Sequence, residues 1–224
     1  MQRSLVLLLL LSLGESWAVK QVAHIFDRMN QDPNGDMSVR TEYCPDFKNC
    51  DPDINDNAIS STLATGVWIF YSGHHYNYDN LGDVEWVFGD EARLNFGIVG
   101  DKVSSLRYAG DSDDWKRNTI TLYEFEHFSG LEYYETKDVP EVYVMKTVKS
   151  VIITGRAEWT VYPSANFRGN GVCFGAQTGK YAAFAPDLDT YPINTIKSFR
   201  MGCYAKNKIQ LDSSEHGVFV KTKG

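Results

Sequence analysis

Short apolar runs, each broken by Gly, Asn, Asp or Pro, set the rhythm of this chain. Val67-Trp68-Ile69-Phe70-Tyr71, Ile120-Thr121-Leu122-Tyr123, Val142-Tyr143-Val144-Met145, Val151-Ile152-Ile153 and Trp159-Thr160-Val161-Tyr162 are rich in aromatic and β-branched residues. Such residues fit a pleated surface, and their regular interruption predicts strands of an antiparallel sandwich. Helical periodicity is weak, so the fold class is all-β. The most polar break, Gly110-Asp111-Ser112-Asp113-Asp114, reads as part of a linker over 110–117 that separates a domain over 19–109 from one over 118–204. In the remainder, 205–224, Ile209-Gln210-Leu211 and Val218-Phe219-Val220 flank a polar turn and read as a β-hairpin. Such a hairpin could cap the second domain or pair with a second copy of the chain, giving a homo-oligomer.

Two patterns recur. Tyr123-Glu124-Phe125-Glu126-His127-Phe128-Ser129-Gly130 returns 39 residues later as Tyr162-Pro163-Ser164-Ala165-Asn166-Phe167-Arg168-Gly169. The shared frame places aromatics at Tyr123 and Phe128, then at Tyr162 and Phe167, and glycines at Gly130 and Gly169. A folded-over hairpin explains it, with the aromatics packing the corner and the glycine reaching backbone angles closed to other residues. The second pattern is Asp56-Asn57-Ala58-Ile59-Ser60-Ser61, which returns 44 residues later as Gly100-Asp101-Lys102-Val103-Ser104-Ser105. These loops are rich in side-chain oxygens, the donors that suit a hard cation such as Ca2+. Asn, Asp, Ser and Gly are also ordinary turn formers, so the same residues suit loops that satisfy only their own backbone.

Together, the Tyr-x4-Phe-x-Gly corners and the serine-ended loops resemble the Greek-key motif of the βγ-crystallin superfamily. The resemblance implies two βγ-crystallin-like Greek-key sandwich domains built from four units, over about 20–65, 66–109, 118–155 and 157–204. The first unit departs most, with a corner that reads as lengthened and an insertion from Cys44 to Cys50. In this superfamily the calcium-binding loop reads Asn/Asp-Asn/Asp-x-x-Ser/Thr-Ser, and paired motifs contribute to two sites. Carried over, this implies ligands from Asp56, Asn57, the carbonyl of Ala58 and Ser60, and a weaker set from Asp101 and Ser104, since Gly100 offers no side-chain oxygen. Asp32 and Asp79, in the facing corners, could complete the shells. The second-domain loops, Lys146-Thr147-Val148-Lys149-Ser150-Val151 and Asn194-Thr195-Ile196-Lys197-Ser198-Phe199, are poor in acids and carry lysines, so little calcium binding is expected there. Asn30 to Ser38 resembles part of an EF-hand loop, but Thr41 stands where the bidentate Glu would be.

Arg3, the apolar stretch Leu5 to Leu11 and the small-residue exit Ser16-Trp17-Ala18 have the layout of a secretory signal peptide over 1–18. The stretch is too short to span a bilayer. Cys44, Cys50, Cys173 and Cys203 suit disulfides in an oxidising compartment, and three pairings are open, of which Cys44 with Cys50 and Cys173 with Cys203 is the simplest. The formal charge of −7 disfavours nucleic acid and anionic lipid but attracts divalent cations. Five dispersed histidines and the absence of a nucleophile elbow, His-Glu-x-x-His or phosphate loop argue against an enzyme. The sequence therefore points to a secreted, extracellular, calcium-binding structural protein of a matrix or fluid. The alternative is a secreted module that binds glycan or protein, including an inhibitor or toxin-like role, through exposed aromatics among Tyr76, Tyr78, Trp115, Tyr133 and Tyr134 or through a protruding Cys44–Cys50 loop.

Overall fold

The computed structural model describes residues 18–50 and 57–221. In chain order its strands are β1 (Val22–Phe26), β2 (Met37–Arg40), β3 (Ser61–Tyr71), β4 (Val84–Asn95), β5 (Ser105–Tyr108), β6 (Thr119–Tyr123), β7 (Glu132–Glu135), β8 (Ser150–Thr154), β9 (Trp159–Tyr162), β10 (Val172–Gly175), β11 (Ala182–Ala185), β12 (Ser198–Met201), β13 (Asn207–Gln210) and β14 (His216–Phe219). The molecule is an all-β protein of Greek-key sheets, consistent with two crystallin-like sandwich domains.

In the N-terminal half the order is β14-β4-β3-β1-β2, with β5 also on β3. Strand β3 serves two sets of partners. Ser61–Thr65 pairs with β1, and Trp68–Tyr71 pairs with β5. The register shifts beside Gly66, whose φ of +108° is open to glycine and where a Cβ would collide with the Gln21 side chain. In the C-terminal half, sheet β11-β8-β6-β7 packs on sheet β12-β9-β10-β13. Between them lie Ile120, Leu122, Val151, Ile153, Trp159, Val161, Phe174 and Phe199. Strand β11, from the fourth repeat, pairs with β8 of the third, so the third repeat's sheet is completed by its neighbour.

The uninterrupted apolar runs now have a cause. Trp68 and Phe70 of β3 face the N-terminal core, while Val67, Ile69 and Tyr71 face a second core shared with Tyr123, Ile152, Ala182 and Phe184 of the other half. Likewise Val151 and Ile153 of β8 point into the C-terminal sandwich and Ile152 points at the N-terminal half. A strand covered on both faces loses the polar alternation of a half-exposed one. Trp115 is buried at this junction, 2% exposed, against Phe88 and Tyr181.

The junction also holds a charge. Arg107 is 2% exposed and donates to the carbonyls of Phe128 (2.7 Å) and Gly130 (3.0 Å) and to the Tyr71 hydroxyl (3.0 Å). Its guanidinium lies over the rings of Tyr71, Tyr76 and Tyr123, and its counter-ion is Glu132 of β7, 3.3 Å from Nε. Tyr43 donates its hydroxyl to the same carboxylate. Burial pushes Glu132 above the ordinary carboxylate range, against the opposing pull of Arg107.

Two sequence expectations change here. Val142–Met145 is not a strand: Val142 and Met145 plug the core, Tyr143 is 79% exposed, and the Val142 N–H donates to Lys197 O. Two apolar anchors in an otherwise irregular segment imitate a short strand in sequence. The C-terminal pair is not a hairpin. Strand β13 runs parallel to β10, whereas β14 lies antiparallel on β4 of the other half. Two separate sheet edges are thereby covered, and Phe219 stacks on the half-buried His127 ring at 3.3 Å. Asn30–Ser38, where Thr41 already argues against an EF-hand, runs from the 3-10 turn Met29–Gln31 into strand β2 and is directly flanked by no α-helix.

Cys44 pairs with Cys50, and Cys173 of β10 pairs with Cys203 just after β12. Among the described residues no helix is long and apolar enough to cross a membrane. The residues of the expected signal peptide up to Trp17 lie outside those described, as does Asp56.

Candidate metal centre

Four folded corners organise the chain, one per repeat. Each contains two consecutive residues of positive φ: Asn30 and Gln31, His75 and Tyr76, His127 and Phe128, Asn166 and Phe167. Each is fastened by one serine hydroxyl that donates to a carbonyl and accepts the second residue's N–H. Ser61 donates to Arg28 O and accepts from Gln31; Ser105 bonds Gly73 O and Tyr76. Ser150 bonds Phe125 O and Phe128; Ser198 bonds Ser164 O and Phe167. In the two complete corners Tyr123 meets Phe128 at 5.5 Å and Tyr162 meets Phe167 at 5.9 Å, both edge-on. Gly130 at φ +76° and Gly169 at φ +89° close them, and a Cβ on Gly130 would lie 2.6 Å from the Phe125 ring.

This staple fixes the alignment of the loops and corrects two readings. The first corner is not lengthened: Phe26 to Gln31 has the same spacing as Tyr123 to Phe128. Ser150 and Ser198 correspond to Ser61 and Ser105, not to Ser60 and Ser104. The positions equivalent to Ser60 and Ser104 are therefore Lys149 and Lys197.

In the N-terminal half the loops meet reciprocally. Ser60 Oγ lies 2.7 Å from the carbonyl oxygen of Asp27 and 3.0 Å from Asp101 Oδ1. Ser104 Oγ lies 3.2 Å from Asn57 Oδ1 and 3.3 Å from the carbonyl oxygen of Lys102. The backbones cross as well, Asp101 N–H to Ile59 O at 3.0 Å and Asn57 N–H to Val103 O at 3.4 Å. Asn57 (φ 62°) and Asp101 (φ 55°) both adopt the left-handed conformation, which Asn and Asp tolerate better than other non-glycine residues. Each cluster thus combines a side-chain oxygen from one loop, a hydroxyl from the other and a carbonyl, a donor set of hard oxygens that fits Ca2+. Ala58 lies within the first loop and packs on the core. Asp27 was not evident in sequence, because its part is played by a backbone carbonyl. Its Oδ1 is also buried with no hydrogen-bond partner among the described residues.

Asp32 and Asp79 are engaged elsewhere. Asp32 accepts from the N–H and side-chain amide of Asn34 and pairs with Arg28 at 3.5 Å; the Asn34 N–H chiefly holds its carboxyl below the usual value. Asp79 accepts the Leu81 N–H at 3.1 Å, closing its own turn.

The second half fills the equivalent places with ammonium groups. Lys149 Nζ reaches both oxygens of Asp189 at 3.0 and 2.8 Å, and Asp189 converges with Glu126 and Asp187. The Asp189 hydrogen bond raises the Lys149 pKa. Lys197 Nζ donates to Lys146 O at 2.9 Å, so a lysine bridges the two loops as Ser104 does in the first half. A tethered cation thus stands where the first half has Ser60.

Residues 119–201 match the family model for Beta/Gamma crystallin. Among solved structures, Geodin, a βγ-crystallin from Geodia cydonium, superposes with a TM-score of 0.60 at 19% identity, over 82% of this chain and 99% of that one. A βγ-crystallin from an archaeon gives 0.32 at 22% identity over 38% and 96%, and protein S complexed with calcium gives 0.33 at 18% over 82% and 100%. No curated protein sequence matches the chain. Residues 119–201 therefore match a βγ-crystallin model, and the chain as a whole carries the βγ-crystallin-type Greek-key fold of Geodin.

Proposed function

We propose that this is a secreted, extracellular calcium-binding structural protein whose N-terminal domain, over 19–109, is stabilised by Ca2+. A second domain over 118–204, joined by the linker 110–117, folds without metal. The observation that carries this reading is the reciprocal pair of oxygen clusters, Ser60 with Asp101 and Ser104 with Asn57. Asp56, next to Asn57, adds a carboxylate to the first loop in sequence. Extracellular calcium sites work at about 10⁻⁴–10⁻³ M. At ten times its Kd, one site adds about 1.4 kcal/mol to folding, and a gain of that size moves Tm by roughly 3–6 °C. Adding millimolar Ca2+ to EDTA-treated protein should raise Tm by about that amount for each of the two sites. Asp101→Ala should halve the rise, and Ser60→Ala with Ser104→Ala should abolish it. A rise that survives the double variant would overturn the assignment of the site.

The lysine substitution gives a second expected outcome. Lys149→Ser removes the tethered cation from Asp189 and leaves Glu126, Asp187 and Asp189 without it. The variant should gain a calcium-dependent increase in Tm that is absent from the Ser60→Ala, Ser104→Ala background carrying Lys149. No gain would mean that the lysine is merely a surface ion pair.

One observation favours ligand binding as a second reading. Tyr204 is 61% exposed yet held by Arg200, whose guanidinium lies 3.7 Å from the ring centroid. Beside it a cleft of about 340 Å³, lined by Tyr162, Asn170, Lys206 and Asn207, shares Asn170 with a neighbouring cleft that holds Tyr191 and Asn194. Fixed aromatic faces with amides suit a glycan. By contrast, Trp115 is buried in the junction and Tyr76 and Tyr133 pack against core residues, which leaves Tyr78 and Tyr134 exposed. Glycan-array binding lost in Tyr204→Ala would support this reading; none in the parent protein would sink it.

A further inference from the structure

The linker holds an acid whose natural partner is created by cleavage. We propose that hydrolysis of the Ala18–Val19 bond is a maturation step, freeing an α-ammonium on Val19 that Asp114 binds and so fixing the junction between the two halves. The proposal rests on the secretion reading above. The cleavage consumes one water and leaves a carboxylate on Ala18 and the ammonium on Val19.

Three observations carry it. Val19 N already lies 3.5 Å from Asp114 Oδ1, and Ala18 before it is exposed, so the bond is accessible and its new terminus is in place. The residues after it are pinned to the linker. Val19 O accepts the Trp115 N–H at 3.0 Å, and the Gln21 N–H donates to Ser112 O at 3.0 Å. The Gln21 side chain, 1% exposed, donates to Ala109 O and Asp111 O and accepts from Val67 N. The third observation concerns charge. Asp111 pairs with Arg117 at 2.8 Å, Asp113 pairs with Lys20 at 3.4 Å, and Lys116 pairs with Asp90 at 2.5 Å. Among the described residues, Asp114 has no side-chain cation. Its partners are the backbone N–H groups of Val19 and of Lys116, the latter at 3.2 Å.

An α-ammonium would therefore complete the pairing of the linker. It brings a full positive charge and three donors where an intact chain offers one peptide N–H. Trp115 follows Asp114 directly and packs into the core that both halves share, so the terminus acts on the interface and not on a free tail.

The test compares four proteins: the chain beginning at Val19 with a free amine, the same chain Nα-acetylated, and Asp114→Asn in each of those forms. The free-amine protein should melt about 2–4 °C above the acetylated one at pH 6, and the difference should vanish in the Asp114→Asn pair. Intact-mass analysis of protein secreted from the full-length chain should give Val19 as the first residue. Equal melting of free and acetylated forms would overturn the Asp114 pairing while leaving secretion standing. A first residue other than Val19 would overturn the maturation site even if the ion pair forms in the engineered chain.

Discussion

Glu132→Ala will cost about 3–5 kcal/mol of folding stability, read as a fall in the urea midpoint, because it strands Arg107 as a buried charge. The guanidinium cannot shed its proton, and among the described residues no other carboxylate pairs with it. Its other contacts are neutral: carbonyls of Phe128 and Gly130, the Tyr71 hydroxyl, and aromatic faces. Removing Glu132 also strips the Tyr43 hydroxyl of its acceptor. The double variant Arg107→Met, Glu132→Leu should recover much of the loss, since exchanging a whole buried pair for apolar residues is often neutral. If the double variant were as unstable as Glu132→Ala, packing and not the unpaired charge would be the cause.

Phe128→Ala should cost about as much, roughly the 3–5 kcal/mol typical of deleting a buried phenyl ring. Phe128 is fully buried at the second position of its corner, at φ 61°, and its ring meets Tyr123, Trp86 and Phe184. Trp86 belongs to the N-terminal half, so one corner residue supports both its own fold and the junction. Its carbonyl accepts from Arg107 and Tyr71. Leu at this position should restore part of the loss in equilibrium unfolding, because the cavity would be smaller. An alanine variant within about 1 kcal/mol of the parent, well under the usual cost of such a cavity, would contradict the central position given to this ring.

The corners of the third and fourth repeats were legible in sequence because their determinants are local, whereas the first, which lacks the glycine of that frame, reads as lengthened. Two aromatics and a glycine at fixed spacing lie within eight residues, and the turn geometry acts on those residues alone. What was not legible depends on distant partners. The Val142–Met145 run has strand-like composition, but whether two apolar anchors continue a sheet depends on which edge lies beside them. The destinations of β13 and β14 likewise depend on the free edges of β10 and β4. The sequence also placed the second-domain serines one position out, since a serine before an apolar residue has the same pattern in a ligand as in a staple. Once Ser61, Ser105, Ser150 and Ser198 are seen fastening equivalent corners, Lys149 and Lys197 fall at the positions of Ser60 and Ser104. The buried Arg107–Glu132 pair left no signal, because a lone charged residue in a strand reads as its exposed face. Asp56 falls outside the described residues, so its place in the first loop rests on the repeat.

Calcium titration by calorimetry on the chain beginning at Val19 is the most direct test of the proposed metal centre. Binding at two sites, with Kd of about 10⁻⁴–10⁻³ M, reduced to one by Asp101→Ala and unaffected by Lys197→Ala, is the predicted result. No heat at millimolar Ca2+, with Tm equal in Ca2+ and EDTA, would contradict it and leave the paired loops as turns held by their own hydrogen bonds.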